Sequence, residues 1–193
     1  MGRLQTFDST AVVQSARDVF WDVGFDGASL ADLESATGVN RSSLYHAFGS
    51  KRGLFDAAVT DYLDTVIRPR LRGLLADGAG REALIAYFDG LSHAVATLPD
   101  DSPRRGCLLV NAAAGLAAHD EPARAVVDAY RAELSAALSH AFAGVDEAAA
   151  QERVRTLASL SMSAMLLARV NRDESLALLS TAILQVRVWF PAA

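Results

Sequence analysis

The chain has 193 residues, 51% of them hydrophobic and 21% charged, which provides for a sizeable core and excludes a disordered chain. A net charge of −5 excludes a globally basic nucleic-acid binder, although not a local basic patch. One cysteine excludes an intramolecular disulfide and a cysteine metal cluster, and no apolar run reaches the ~20 residues of a membrane span.

The start, MGRLQTFDS, lacks the apolar stretch of a secretory signal, so a cytoplasmic protein is expected. Alanine is abundant throughout and favours helix. A first helix is expected from Ser9 to Val23, on the stripe Val12, Val13, Ala16, Val19, Phe20 and Val23, with Gly24 as its stop. Phe25 reads as a plug in the linker that follows. Ser29 is the N-cap of a second, two-turn helix, with Asp32 as capping-box partner and Gly38 as terminator. A third helix is expected from Arg41 to Phe48, and a fourth, long and amphipathic, from Lys51 to near Arg68-Pro69. Five more are expected near 81–98, 103–118, 121–143, 147–171 and 174–190, with Asp120 and Asp146 as caps and Pro103 and Pro122 in first turns. The fold class is therefore all-α, about nine helices, with a head over residues 1–50 and a helical bundle body over 51–193.

Two short helices joined by Gly-Val-Asn form a helix-turn-helix unit, whose second helix can lie in the major groove of DNA. Val39 and Leu44 would lock the pair together. Arg41, Ser42, Ser43, Tyr45 and His46 then lie on or near the exposed face. Arg41 suits a guanine edge, and the serines suit bases or phosphates. Lys51, the only lysine, begins the fourth helix, where its ammonium and the free backbone N–H groups can converge on a phosphate. Ser29 can hold a second phosphate. Residues 1–55 contain five basic side chains (Arg3, Arg17, Arg41, Lys51, Arg52) against six acidic ones, so the head is about neutral, with positive charge expected around the third helix.

The stretch from Thr10 to Leu54 contains G-F-x-G-x-S-L-x-D-L-x-x-x-T-G-V-x-R-S-S-L-Y-x-x-F-x-S-K-x-x-L, and in this it resembles the TetR family of repressors. The resemblance implies a three-helix head, a connecting fourth helix, a dimerising helix pair at the C-terminus, and binding of palindromic operators released by a small-molecule effector. It also implies that Lys51, Tyr45, His46 and the start of the third helix touch DNA. Gly53 departs from the family pattern, where an acidic or longer residue is common, and glycine there costs about 1 kcal/mol of helix propensity relative to alanine.

The resemblance places an effector pocket among the middle helices. Candidate lining residues are Tyr62, Tyr87, Phe88, His93, Cys107, Asn111, Tyr130, Met162 and Met165, each of which singly reads equally as core. The last two helices are apolar on more than one side and call for a second subunit, with Leu157, Leu160, Ala164, Leu178, Ala182 and Trp189 as candidate interface residues. The segment Arg104 to Asn111 is similar to a Gly-Cys-Leu branch of the family that includes electrophile sensors. A thiol-sensing repressor using Cys107, with Arg104 and Arg105 lowering its pKa, is therefore an alternative, set against a cysteine that is simply packed. Arg104 and Arg105 themselves read as a solvated pair. His119 and His140 read as solvated or capping groups near helix ends. A helical protein-interaction adaptor is a further alternative. No enzyme motif, metal site or cofactor is expected.

Overall fold

The computed structural model describes residues 7–191, which form helices and connectors with no strand among them. Arg3, counted above in the head's charge, lies outside the described residues. Helix α1 spans Ser9–Gly27, α2 Leu30–Thr37 and α3 Arg41–Phe48. Helix α1 runs one turn further than its stripe suggested, bending at Gly24, whose φ is 74°. That bend turns Phe25 back between Phe20 and Phe55, with ring centroids 6.2 and 5.2 Å away.

Helix α4 spans Lys51–Tyr62 and does not stop at Pro69. A π turn, Leu63–Ile67, a single α turn α5, Arg68–Leu71, and a 3-10 turn, Arg72–Leu75, continue it. Proline lacks an N–H and its ring crowds the carbonyl four residues back. The wider π turn, closed by Arg68 N–H to Leu63 O, makes room for it without ending the helix.

The body comprises α6, Arg81–Thr97, α7, Leu108–Ala114, α8, Glu121–His140, α9, Glu147–Leu167, and α10, Arg172–Trp189. Asp120 and Asp146 cap α8 and α9 through Ala123 N and Ala149 N, and Pro122 lies in the first turn of α8. His140, in the last turn of α8, pairs through Nδ1 with Leu74 O at 2.9 Å. Helix α10 packs on α6 and α9, α8 on α9 and α7, and α1 on α2 and α4. One apolar core runs from Phe20 and Leu33 in the head to Leu134 and Leu179 in the body.

The expected helix 103–118 begins only at Leu108, so Pro103 is not in a first turn. Residues 103–107 form an irregular strap, followed by the short α7 and a 3-10 turn, Leu116–Ala118. Gly106 explains the break: its φ is +75°, and a Cβ there would stand 2.6 Å from Met165 O. The strap thus lies directly on α9, closer than any larger residue permits.

Candidate nucleic-acid interface

The helix-turn-helix unit is built on local hydrogen bonds. Ser29 Oγ accepts from Asp32 N at 3.1 Å, and Asp32 Oδ2 accepts from both Ser29 N and Ser29 Oγ, a complete capping box. These bonds hold the Asp32 carboxyl below its ordinary pKa. Gly38 ends α2 in the left-handed conformation. Asn40 caps α3 by accepting from Ser43 N at 2.9 Å, and the Glu34 carboxylate accepts from Arg41 N. Leu33 and Leu44 are buried between the helices, with Val39 half-buried beside them.

On this frame α3 exposes Arg41, Ser42 and His46, while Ser43 and Tyr45 are half-buried. Arg41 lies over the Tyr45 ring at 5.2 Å and has no carboxylate partner among the described residues. Ser29 is exposed, but its hydroxyl is engaged by Asp32. Lys51 is half-buried, its Nζ 4.5 Å from the Phe25 ring centre. Arg52 is turned away from α3 and bonds Asp56 on its own helix and Asp120 at the start of α8, which raises its pKa and lowers that of Asp120. Arg17 is buried and paired with Asp61 and Asp18. Among the described residues, the positive charge expected near α3 is therefore confined to Arg41 and Lys51. Gly53 is a requirement of this junction: a Cβ there would lie 2.0 Å from Phe48 O, so its helix-propensity cost is incidental.

A second set of bonds ties the head to the body. Arg104 grips Asp18 with contacts of 2.7 and 3.1 Å. Arg105 donates to Ala168 O at 2.8 and 3.2 Å and to Asp100 O at 2.8 Å. The expected solvated arginine pair is thus a pair of clamps, because the irregular strap turns both guanidiniums onto partners. Neither is directed at Cys107, which is 2% exposed and lies among tyrosines. Trp21 Nε1 donates to Arg105 O at 3.1 Å, and Arg169 donates to Trp21 O and Asp22 O at 2.7 and 2.6 Å. Sequence reading missed these contacts, since nothing local to 17–22 announces partners 84 to 148 residues away.

In the body, Tyr62, Tyr87, Cys107, Tyr130 and Met165 surround one small cavity, together with Arg70 and Ser161, which were not anticipated. Tyr87 Oη lies 3.1 Å from Ser161 Oγ, and burial pushes its pKa up to about 12. Phe88, His93, Asn111 and Met162 do not line it. Phe88 is fully buried core, and His93 is exposed. Two residues beyond the inward-facing Leu91, His93 is rotated by roughly 200° from that stripe. Arg70 was overlooked because the fourth helix was expected to end before it.

The candidate dimer residues also divide. Leu157, Ala164 and Ala182 are each 0% exposed within the protomer, because they pack the helices of one chain together. They are therefore withdrawn from any partner. Leu160, Leu178 and Trp189 are half-buried. The large apolar side chains left outside on α9, α10 and the turn between them are Leu166, Val170, Leu184 and Val188.

Comparison with known proteins gives a consistent pattern. A family model described as bacterial regulatory proteins, tetR family, matches residues 12–58. The HTH-type transcriptional regulator YezE of Bacillus subtilis is 37% identical over 120 residues, 62% of this chain and 60% of that protein. The HTH-type transcriptional repressor ComR of Escherichia coli is 33% identical over 57% of this chain and 51% of its own length. The matches thus span about half to three fifths of these curated relatives. Among solved structures, a cysteine mutant of the TetR family transcriptional regulator CifR, complexed with 26-bp double-strand operator DNA, superimposes with a TM-score of 0.78. It is 31% identical, covering 94% of this chain and 98% of that one.

Proposed function

The chain belongs to the TetR family of bacterial transcriptional regulators, and from that premise we propose that it is a homodimeric, cytoplasmic repressor of a palindromic operator, released by a small-molecule effector. The observation that carries this reading is α3 itself, a capped helix presenting Arg41, Ser42 and His46 to solvent after a tight turn. Residues 1–50 act as the DNA-binding head and 51–193 as the effector-binding and dimerising body. Arg41 reads a base edge, Ser42 and Tyr45 contact bases or the adjoining backbone, and Lys51 reaches a phosphate from its place over Phe25. Two copies meet through α9 and α10, covering Leu166, Val170, Leu184 and Val188. This places the two α3 helices in successive major grooves, roughly 34–36 Å apart. The effector acts by differential affinity for a body arrangement that changes this spacing.

Selection of genomic fragments with the purified protein, followed by gel shift at two salt concentrations, tests the reading. A palindromic site bound by a dimer, lost in Arg41→Ala and weakened by salt, is the expected result. Absence of any enriched sequence at low salt would favour the adaptor alternative. The thiol-sensing alternative is supported by the place of Cys107 on the cavity wall. It predicts operator release by an electrophile in the wild type and none in Cys107→Ser.

A further inference from the structure

The effector's chemistry can be taken further, on the reading that the body answers to a small molecule. Two neighbouring clefts in the body share two of their lining residues. One, about 10 Å³, is walled by Tyr62, Tyr87, Cys107, Tyr130 and Ser161. The other, about 20 Å³, lies under the strap at Arg104–Gly106. Arg70 and Met165 line both. Each volume accepts roughly one water, so a larger occupant enters only by parting the walls.

Two polar groups at this place make no well-formed hydrogen bond or ion pair among the described residues. The Tyr62 hydroxyl is fully buried on the cavity wall, and its near polar neighbours, the Cys107 thiol and the Leu108 backbone, give it no well-formed hydrogen bond. Arg70 is half-buried, and its guanidinium forms no ion pair or hydrogen bond among the described residues. Every other described arginine that is at least half-buried donates to a carboxylate or carbonyl or, for Arg153, lies over the Trp189 ring. Arg70 is therefore a cation without its anion, and no aspartate or glutamate lines either cleft.

The surroundings favour a negative guest. Burial raises the pKa of Tyr62, Tyr87 and Tyr130, so all three remain neutral phenols near neutral pH. The positive charge of Arg70 acts in the opposite direction on Tyr62 and Tyr87, which places it within electrostatic reach of both. Ile67, Leu71 and Leu91 supply an apolar part of the cavity wall. The π turn at Leu63–Ile67 offsets the helical register after Tyr62 and brings Ile67, Arg70 and Leu71 to the same cavity. Such turns recur at functional sites.

We propose that these neighbouring clefts are the effector site and take a small organic carboxylate, its oxygens on Arg70 and Tyr62 and its carbon skeleton against Ile67, Leu91 and Met165. The planar guanidinium fork matches a carboxylate, and the apolar wall favours an organic acid over an inorganic anion. Trp21 meets Tyr62 edge-on at 4.8 Å and is bonded to the strap, so occupancy bears directly on the head's anchor.

The test uses the full-length protein without DNA, in a Trp189→Phe background that leaves Trp21 as the sole indole reporter. Acetate, butyrate and benzoate are titrated, each against its amide. A saturable change in Trp21 emission with butyrate or benzoate, at least tenfold weaker with the amide, is expected. Arg70→Met should weaken it at least tenfold, and Tyr62→Phe about threefold to tenfold, with circular dichroism unchanged. Amides that bind as well as acids, no saturation with any of the three acids, or unaltered affinity in a folded Arg70→Met would overturn the proposal. The acid–amide comparison needs no variant, so it decides even if Arg70→Met fails to fold. Because no DNA is present, a negative result leaves operator reading standing, and failure to find an operator leaves this result intact.

Discussion

Arginine is used in opposite ways on the recognition face and on the seam between head and body. On α3, Arg41 is exposed and touches only the Tyr45 ring. On the seam, Arg17, Arg104, Arg105 and Arg169 are bound to Asp61, Asp18, Ala168 O and Trp21 O. Arg41 keeps its charge free where DNA would be read, whereas the four arginines of the seam serve as fastening. This is how an acidic protein of net charge −5 can carry a DNA-reading head.

The largest effect should come from breaking the seam at its most buried point. The Arg17 and Asp61 side chains are 8% and 13% exposed, so Arg17→Met leaves a carboxylate nearly out of water without its partner. A loss of about 3 kcal/mol in urea unfolding is expected. A loss under 1 kcal/mol would mean that water enters the seam. The same residue type gives the reverse result on α3. Arg41→Ala should alter stability by less than about 0.5 kcal/mol and weaken operator binding by about 2 kcal/mol, roughly thirtyfold. Anisotropy titration on the selected operator measures it. Equal losses on operator and random DNA would make Arg41 a phosphate contact instead of a base reader.

The helix-turn-helix unit was legible in the sequence because its devices are local. Ser29 with Asp32, Gly38 and Asn40 stand within a few residues of the groups they satisfy, so spacing alone places α2 and α3. The body was less so. Pro69 is an ordinary stop signal, yet a π turn carries the helix past it, and that hid Arg70. Gly106 belongs to a strap whose reason is a carbonyl 59 residues away, at Met165. Tyr62, Tyr87, Tyr130 and Cys107 do meet around one cavity, but periodicity could not separate Tyr62, on the cavity, from Phe88, in solid core. Nor could it separate apolar residues that join α9 to α10, such as Leu157, from those left outside, such as Leu184.

A smaller effect tests whether the recognition helix depends on its own cap. Asn40 Oδ1 accepts from Ser43 N at 2.9 Å, and Asn40→Ala should cost about 1 kcal/mol in urea unfolding. Operator affinity should fall with it, since a frayed first turn moves Arg41. Stability lost with affinity intact would show that DNA holds the helix start without the cap.

The smallest effect is also the one that sets the two regions against each other by pH. The Asp32 pKa lies below the ordinary carboxylate value because the Ser29 hydroxyl and backbone N–H both donate to its charged form. Such a group contributes stability that is fully present above about pH 4, the unfolded value. The contribution disappears as pH falls through the lowered folded value. Asp32→Ala should therefore unfold at slightly lower urea than wild type at pH 7, with the difference closing as the pH falls progressively below about 4. A difference that persists unchanged at low pH would assign the effect to lost packing instead of charge. Asp32 also stands beside Ser29, where a phosphate would dock, so removing its charge should tighten operator binding modestly at low salt while it loosens the fold. At the seam, removing Asp61, the carboxylate that holds Arg17, offers no such gain, because both groups of that pair are withdrawn from DNA.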